Sequence, residues 1–260
     1  MATGYVVSGR GDLDALFKAR LTAAGSNTGF LSNGGVDLAQ RFELRGSTTA
    51  IAATGFKVGA TDLASTFMDI AASTFSPVTR TYTTGTALTE TVPAGATSCV
   101  ITVHGGGGGG GLKATTTGGG GGGGARVIKT VAVTGGQTFT YTVGALAAGS
   151  VTAGNSGTAG RQSTVTSASP AVTLTAGGGG AGIFTPANSA GGTASGGDTN
   201  TNGSGGLSTG QGGASGSGAA GGTGDGINGT LPGGGGSGGI GNASGRGGNG
   251  ARGEISFAYT

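Results

Sequence analysis

Alternating apolar and polar positions dominate the chain from about residue 82 onward. In residues 98–104, Cys99, Ile101 and Val103 occupy one face and Val100 and Thr102 the other. A period of two in β-branched residues is typical of a strand with one buried face. Seven segments carry this pattern and predict strands: 86–92, 98–104, 125–134, 138–143, 163–166, 171–175 and 254–259. They predict an antiparallel sandwich or barrel, in which Cys99 is a small core residue.

Two kinds of connection join the predicted strands, in alternating order. The links are short turns at 93–95, 135–136 and 167–170, and long segments at 105–124, 144–162 and 177–253. If consecutive strands run in opposite directions, all three long segments leave the β domain at one end. A strand follows the last long segment, so we expect an insertion held at both of its ends.

A helical pattern governs the first 80 residues, where a Gly-aromatic pair followed by Asp-Leu-x-x-x-Phe occurs three times. The Asp residues are suited to N-caps, and the Leu and Phe four positions apart share one helix face. The motif residues are Asp12, Leu13, Phe17, Asp37, Leu38, Phe42, Asp62, Leu63 and Phe67. Helices of about eight residues are unstable alone in water. The repeats therefore either attach to another protein or pack on the following domain.

Glycine supplies 67 of the 260 residues, about 26% against a usual 7%. In residues 177–253, 34 of 77 are Gly, and their spacing is not the strict triplet of collagen. One interpretation is a disordered linker. The other is a bundle of extended left-handed helices, termed polyglycine II, with three residues per turn and hydrogen bonds between helices. At about 3.1 Å per residue such a stretch would span roughly 240 Å, so a compact bundle needs several passes.

Together these patterns predict a mainly β protein in three parts. Residues 1–80 form three short α-containing repeats. Residues 81–176 and 254–260 form a small antiparallel β-sandwich. Residues 177–253 form a glycine-rich insertion, interpreted as a polyglycine II bundle if it is ordered.

Charge and the reactive side chains exclude several function classes. The 13 basic and 10 acidic residues are spread along the chain, without the clustered basic face that nucleic-acid binding needs. No apolar stretch reaches the roughly 18 residues of a membrane helix, and residues 1–20 lack the apolar run of a signal peptide. The single His104 has no plausible Ser/Asp partners, and Lys113 precedes Ala114 rather than the Ser or Thr of a phosphate-binding loop. We therefore expect a non-enzymatic protein made in the cytoplasm, without cofactor, metal or membrane insertion.

A family resemblance lies in the strands that flank the first glycine run. Residues 91–97 (Thr-Val-Pro-Ala-Gly-Ala-Thr), then 100–103 running into 105–111, and later 125–127 (Ala-Arg-Val), resemble the glycine-rich β domain of tailed-bacteriophage tail fibres and tail-tip proteins. The insertion is similar to distal adhesins of some phage long tail fibres, whose polyglycine helices carry host-recognition loops at their tip. The resemblance implies a virion protein that binds a host-surface receptor, protein or glycan. Residues 1–80 would then bind other virion proteins, and homotrimers are common in such fibres.

Loop residues that differ from the surrounding glycine are the candidate receptor contacts. They are Leu112, Lys113, Phe184, Asn188, Asp198, Asn228 and Leu231. Two other functions fit the same composition. A head or tail decoration protein or fibre spacer needs no receptor site, and a polyglycine ice-binding protein would expose a flat face of small residues. Thermal hysteresis would identify the ice-binding protein.

Overall fold

The computed structural model describes residues 57–58, 61–62, 75–185, 187–241 and 245–260. The chain divides into two units, Met1–Ser73 and Thr74–Thr260. In the first unit β1 (Lys57–Val58) pairs with β2 (Thr61–Asp62) in antiparallel register. Asp62 ends β2, while the other eight motif residues of the predicted helical repeats lie outside the described residues. The described part of the chain contains strands and no α-helix, and hence no helix that could span a membrane.

The second unit contains two five-stranded sheets. Its strands are β3 (Val78–Tyr82), β4 (Leu88–Thr91), β5 (Ser98–His104), β6 (Leu112–Lys113), β7 (Arg126–Ala132), β8 (Thr138–Thr142), β9 (Ser163–Ser167), β10 (Val172–Ala176), β11 (Ala194–Ser195), β12 (Thr199–Thr201), β13 (Gly239–Ile240) and β14 (Glu254–Tyr259). One sheet has the order β11-β10-β9-β8-β4 and the other β12-β7-β5-β14-β3, with antiparallel pairs throughout. β6 and β13 form a separate parallel pair.

A single hydrophobic core lies between the two five-stranded sheets. Ile101 and Phe257 from one sheet and Phe139 and Leu174 from the other are fully buried in it. The rings of Phe139 and Phe257 stack with centroids 5.5 Å apart. Cys99 belongs to this core, as predicted, and is a free thiol. The antiparallel β prediction is confirmed, and the shared core makes the domain a sandwich.

The seven predicted strands are all present, with ends shifted by up to two residues, but their order differs from a simple up-and-down series. β4 and β5 follow each other in sequence yet lie in different sheets, and β14 pairs between β5 and β3. The sequence pattern did not identify β3, whose central residues Thr79–Thr81 are exposed and polar. Val78 and Tyr82 pack against the core, but the exposed polar residues between them leave too little apolar alternation for this edge strand to be predicted.

All three long segments leave the sandwich at one end, as predicted. In one sheet, the last residue of β5, His104, pairs with the first residues of β7 and β14, Arg126 and Glu254. In the other, Ala176 at the end of β10 pairs with Ser163 at the start of β9. The glycine-rich segments therefore begin and finish at a common base.

Twelve extended segments of the described residues, here called rods, run back and forth between this base and a far end. Rods 1 to 12 are residues 105–111, 118–124, 144–150, 155–161, 177–183, 187–193, 202–207, 211–216, 219–223, 227–230, 233–239 and 246–253, respectively. Odd-numbered rods run away from the sandwich and even-numbered rods run towards it. The rods come from all three long segments, whereas the sequence interpretation placed packed glycines in 177–253 alone.

Backbone hydrogen bonds repeat every three residues along the rods. In rod 1 the N–H groups of Gly106, Gly107 and Gly108 donate to carbonyls of rods 4, 12 and 2 respectively. Gly109, Gly110 and Gly111 then donate to the same three rods in the same order. Three residues per turn is the repeat of a polyproline-type helix, which has no internal hydrogen bonds and must bond to its neighbours.

Rods 1, 2 and 11 form the centre of the bundle. Rod 1 donates to rod 2, rod 2 to rod 11 and rod 11 back to rod 1, for example through Gly108 N to Gly122 O (2.8 Å), Gly121 N to Gly236 O (2.8 Å) and Gly236 N to Gly108 O (2.9 Å). Each of the three has hydrogen bonds with six neighbouring rods. The other nine enclose them in a closed ring in the order 3, 4, 5, 6, 7, 8, 9, 10, 12.

The central rods are composed of glycine because their neighbours leave no room for a side chain. A Cβ built on Gly121 would lie 2.1 Å from the carbonyl oxygen of Gly108, far inside contact distance. All residues of the three rods are buried, and Ser237 is the single non-glycine among them. Its hydroxyl accepts the Ile227 N–H at 2.7 Å. The two uninterrupted seven-glycine runs of the sequence, 105–111 and 118–124, thus supply two of the three central rods.

Candidate functional site

Six tips join successive rods at the end of the bundle away from the sandwich, and together they form what we call the distal face. Between the flanking rods, the tips include residues 112–117, 151–154, 184–185, 208–210, 224–226 and 240–241. Since the rods alternate in direction, every odd-to-even connection falls on this face. The arrangement brings together residues that are up to about 130 positions apart in sequence.

Exposed apolar side chains and hydroxyl groups dominate the distal face. Val151 is 80% exposed, and Phe184, Leu207 and Ile227 are 39%, 43% and 50% exposed. Each of these four lies on a different tip or at the rod end beside it, so they mark the perimeter rather than one continuous patch. Threonine residues lie on the tips between these four side chains. The described charged side chains at or beside this face are few: Lys113, Asp225 and Arg246, the exposed first residue of rod 12.

A depression of about 330 Å³ lies where four of the tips meet. Its polar side chains come from Thr117, Thr209, Gln211, Thr223 and Asp225, and its apolar side from Ile240. The Asp225 carboxylate accepts the backbone N–H of Ile240 at 2.6 Å, which ties the tip of rods 9 and 10 to that of rods 11 and 12.

Of the predicted receptor contacts, Lys113, Phe184 and Asn188 lie at or beside the distal face, and Leu112 lies beneath it. Lys113 and Phe184 are accessible at two different tips. The Asn188 carboxamide oxygen accepts the Ser208 N–H at 2.8 Å and so links two tips. Leu112 is 1% exposed, with its backbone bonded to Asn155, so it supports the tip from below and cannot touch a partner directly.

Of the remaining candidates, Asn228 lies beside Ile227 at the distal end of rod 10, whereas Asp198 and Leu231 lie away from the distal face. Asp198, between β11 and β12, accepts hydrogen bonds from Thr130 N at 2.8 Å and Lys129 Nζ at 3.0 Å, which lower its pKa. Asn228 accepts the Asn249 N–H at 2.8 Å within the ring of rods. Leu231 is 60% exposed, in the turn between rods 10 and 11 at the sandwich end.

The residues of the depression were not among the sequence candidates. Thr117, Thr209 and Thr223 resemble the many other small polar residues of the glycine-rich segments, and nothing in their spacing distinguishes them. Numbering the rods in chain order identifies them: the turn that follows an odd-numbered rod lies on the distal face, and these residues lie in or next to such turns.

The buried carboxylate Glu90 connects the two sheets of the sandwich. Glu90, 2% exposed, accepts hydrogen bonds from Arg80 Nη1 at 2.8 Å, Tyr82 OH at 2.5 Å and Tyr259 OH at 2.9 Å. These three donors belong to the opposite sheet, so the carboxylate ties the sheets together. The bond to Glu90 raises the pKa of Tyr82 to about 12, and burial raises the pKa of Tyr259 further.

His104 lies at the junction of sandwich and bundle and is 7% exposed. Burial, assisted by the nearby Arg126 charge, lowers its pKa to about 4. Burial likewise raises the pKa of the Cys99 thiol to about 12. Both groups are therefore uncharged at neutral pH. Within the described ranges no group of three or more His, Cys, Asp or Glu residues is arranged to hold a metal ion.

Comparison with known proteins identifies one family. A family model described as a glycine-rich domain matches residues 81–260, which include the sandwich and the whole bundle. No curated protein matches the chain.

Proposed function

The chain belongs to the glycine-rich domain family, and we propose that it is a structural protein of a tailed-bacteriophage virion, located in the tail fibre or tail tip. Its glycine-rich end is directed outward and recognises the host surface. The resemblance of residues 91–127 to phage tail-fibre and tail-tip domains supports this assignment. The proposal includes no catalytic step and no cofactor.

The observation that carries the proposal is the placement of all six tips on one face, opposite the point where the chain enters. Val78, the first residue of β3, pairs with Tyr259 at the end of the sandwich remote from the bundle. A binding surface commonly consists of connecting segments held by a rigid scaffold. The chain thus enters the sandwich at the end opposite the distal face.

The bundle suits this role if its rods are polyglycine II helices. The three-residue repeat of hydrogen bonds and the six bonded neighbours of each central rod support that conformation. A network of this density restricts every rod at several points along its length. The tips are then held in fixed relative positions, so that little conformational freedom is lost on binding.

Residues 1–80 are proposed as the attachment to other virion proteins. If their three Asp-Leu-x-x-x-Phe motifs form short helices, each motif carries a Leu/Phe pair that a partner would cover. Many copies on one particle would combine weak individual contacts with a host receptor into strong overall adhesion.

Particles that carry the chain provide the test. Fab fragments specific for the distal face should block adsorption to host cells, whereas Fab fragments against the remote end of the sandwich should not. Deletion of residues 1–73, which leaves β3 and the rest of the second unit intact, should remove the protein from purified particles. Adsorption that is unaffected by the distal Fab would instead favour a decoration or spacer protein, and absence of the intact chain from particles would refute the virion assignment.

A further inference from the structure

We propose that the depression on the distal face binds the hydroxyl groups of a neutral host-surface carbohydrate. This inference rests on the proposed host-recognition function and narrows its receptor from protein or glycan to glycan. The site is formed by Thr117, Thr209, Gln211, Thr223, Asp225 and Ile240.

The size and construction of the depression suit a small polar ligand. Its volume of about 330 Å³ is at the lower end of the range for ligand pockets, about 300–1,000 Å³. Thr117 directly precedes central rod 2, Gln211 begins rod 8, Thr223 ends rod 9, and Ile240 follows central rod 11. Rods 2 and 11 bond directly to each other, and rod 8 bonds to rods 2, 9 and 11, so the hydrogen-bonded lattice sets the distances across the opening.

The lining matches sugar hydroxyls in hydrogen-bonding capacity. Each threonine hydroxyl and the Gln211 amide can both donate and accept, and the Asp225 carboxylate accepts. A sugar hydroxyl also donates and accepts, so it can pair with each of these groups. Ile240 offers an apolar surface to the C–H face of a sugar ring.

The charge of the lining selects against anionic ligands. Asp225 is the single charged side chain of the lining, and Lys113 and Arg246 lie on neighbouring segments outside it. The lining therefore has no Lys or Arg that would pair directly with a phosphate, sulfate or uronate. An acidic polysaccharide would place its negative groups beside this carboxylate. The site therefore favours neutral hexoses or N-acetylhexosamines.

One hydrogen bond and one close approach of two tips shape the lining without a ligand. Asp225 Oδ1 is fixed by the Ile240 N–H, while Oδ2 has no hydrogen-bond partner among the described residues and is available to a ligand. Gly210 has a φ of +97°, and a Cβ built on it would lie 2.3 Å from Thr117 Cγ2. The tip of rods 7 and 8 can therefore approach Thr117 closely only because residue 210 is glycine.

The experiment measures binding of the fluorescently labelled full-length chain to cells of the phage's bacterial host. Cells are used untreated, after periodate oxidation of their glycans, and after protease treatment. Two variants change single polar groups of the depression with little change of shape: Thr209→Val removes a hydroxyl, and Asp225→Asn replaces the charged acceptor with a neutral amide. Thr152→Val is the matched control, because Thr152 lies on the tip of rods 3 and 4 and not in the depression.

We expect binding to survive protease treatment and to be lost after periodate. Each variant in the depression should weaken binding about fivefold, the effect of one lost hydrogen bond, and Thr152→Val should bind like the original chain. Purified surface polysaccharide from the same cells should compete with the original chain.

Other results separate this inference from the proposed function. Binding that is abolished by protease but resists periodate would leave host recognition intact and refute the carbohydrate site. Periodate-sensitive binding that both variants retain would place the glycan elsewhere on the chain and also refute this site. Failure of the unmodified chain to bind untreated cells would overturn the host-recognition function itself.

Discussion

Replacement of Gly121 by Ala would add one methyl group at the centre of the bundle. The new Cβ would lie 2.1 Å from the carbonyl oxygen and 2.4 Å from the carbonyl carbon of Gly108, about 1.3 Å inside the 3.4 Å at which ordinary contact begins. Both atoms belong to backbone that six neighbouring rods hold in place. Rod 2 must therefore move away from rod 1.

The expected cost follows from the bonds between these two rods. Rod 1 donates to rod 2 and the adjacent Ala125 through the N–H groups of Gly105, Gly108 and Gly111, at 3.0, 2.8 and 2.9 Å. A separation of about 1 Å breaks all three, and each buried group left without a partner costs about 1–3 kcal/mol. The total is about 3 kcal/mol or more, which lowers the melting temperature by roughly 10 °C in a domain of this size.

Gly154→Ala is the matched control in thermal unfolding followed by circular dichroism. Gly154 has a φ of +81° with no atom within 4 Å of a built Cβ, so Ala there suffers backbone strain without a clash. Its cost is about 1 kcal/mol, a fall of about 3 °C. Hydrogen exchange should also accelerate across rods 1 and 2 in Gly121→Ala alone. Equal melting temperatures for the two variants, or an unchanged value for Gly121→Ala, would refute a bundle held by close backbone contact.

Three further predictions concern the sandwich. Glu90→Gln removes the charge that accepts three inter-sheet hydrogen bonds and should lower the free energy of unfolding by about 3 kcal/mol in urea titration; Asp198→Asn, at an exposed ion pair, should change it little. The His104 imidazole signals, from the single histidine of the chain, should titrate near pH 4 in NMR spectra. Because the unfolded imidazole binds its proton at about 6.5, stability should fall as the pH drops from about 6.5 to 4, and His104→Gln should remove that part of the dependence. Cys99 should react with a thiol reagent only after unfolding; rapid labelling of the native protein would contradict its place in the core.

The sandwich strands could be predicted from sequence because burial of one face leaves an alternating pattern. Ile101 and Phe257 show this pattern and are fully buried. β3 could not be predicted in this way, because Thr79–Thr81 are exposed and its pairing partner is β14, more than 170 residues later. Long-range pairing of an edge strand leaves little trace in local sequence.

In the glycine-rich segments, the composition indicates the type of structure but not which segments are neighbours. Their composition suggested packed helices, but backbone groups carry the contacts, and every glycine has the same backbone groups. Sequence therefore could not assign neighbours to each rod. Leu112 and Leu231 were selected as large residues among glycines, yet one supports a tip from below and the other lies at the sandwich end. The direction of the preceding rod decides whether such a residue lies at the distal end or at the sandwich end.

The closed ring of rods has a consequence for how the protein is synthesised. The ribosome produces central rods 1 and 2 first among the twelve, but the third central rod and the last ring member come from residues 233–253, directly before the final strand. Until those residues leave the ribosome, rods 1 and 2 have backbone N–H and C=O groups whose hydrogen-bond partners have not been synthesised. Such remote contacts close slowly. The bundle therefore cannot close before residue 253 has been synthesised, and truncation before residue 233 would remove one central rod and the last member of the ring.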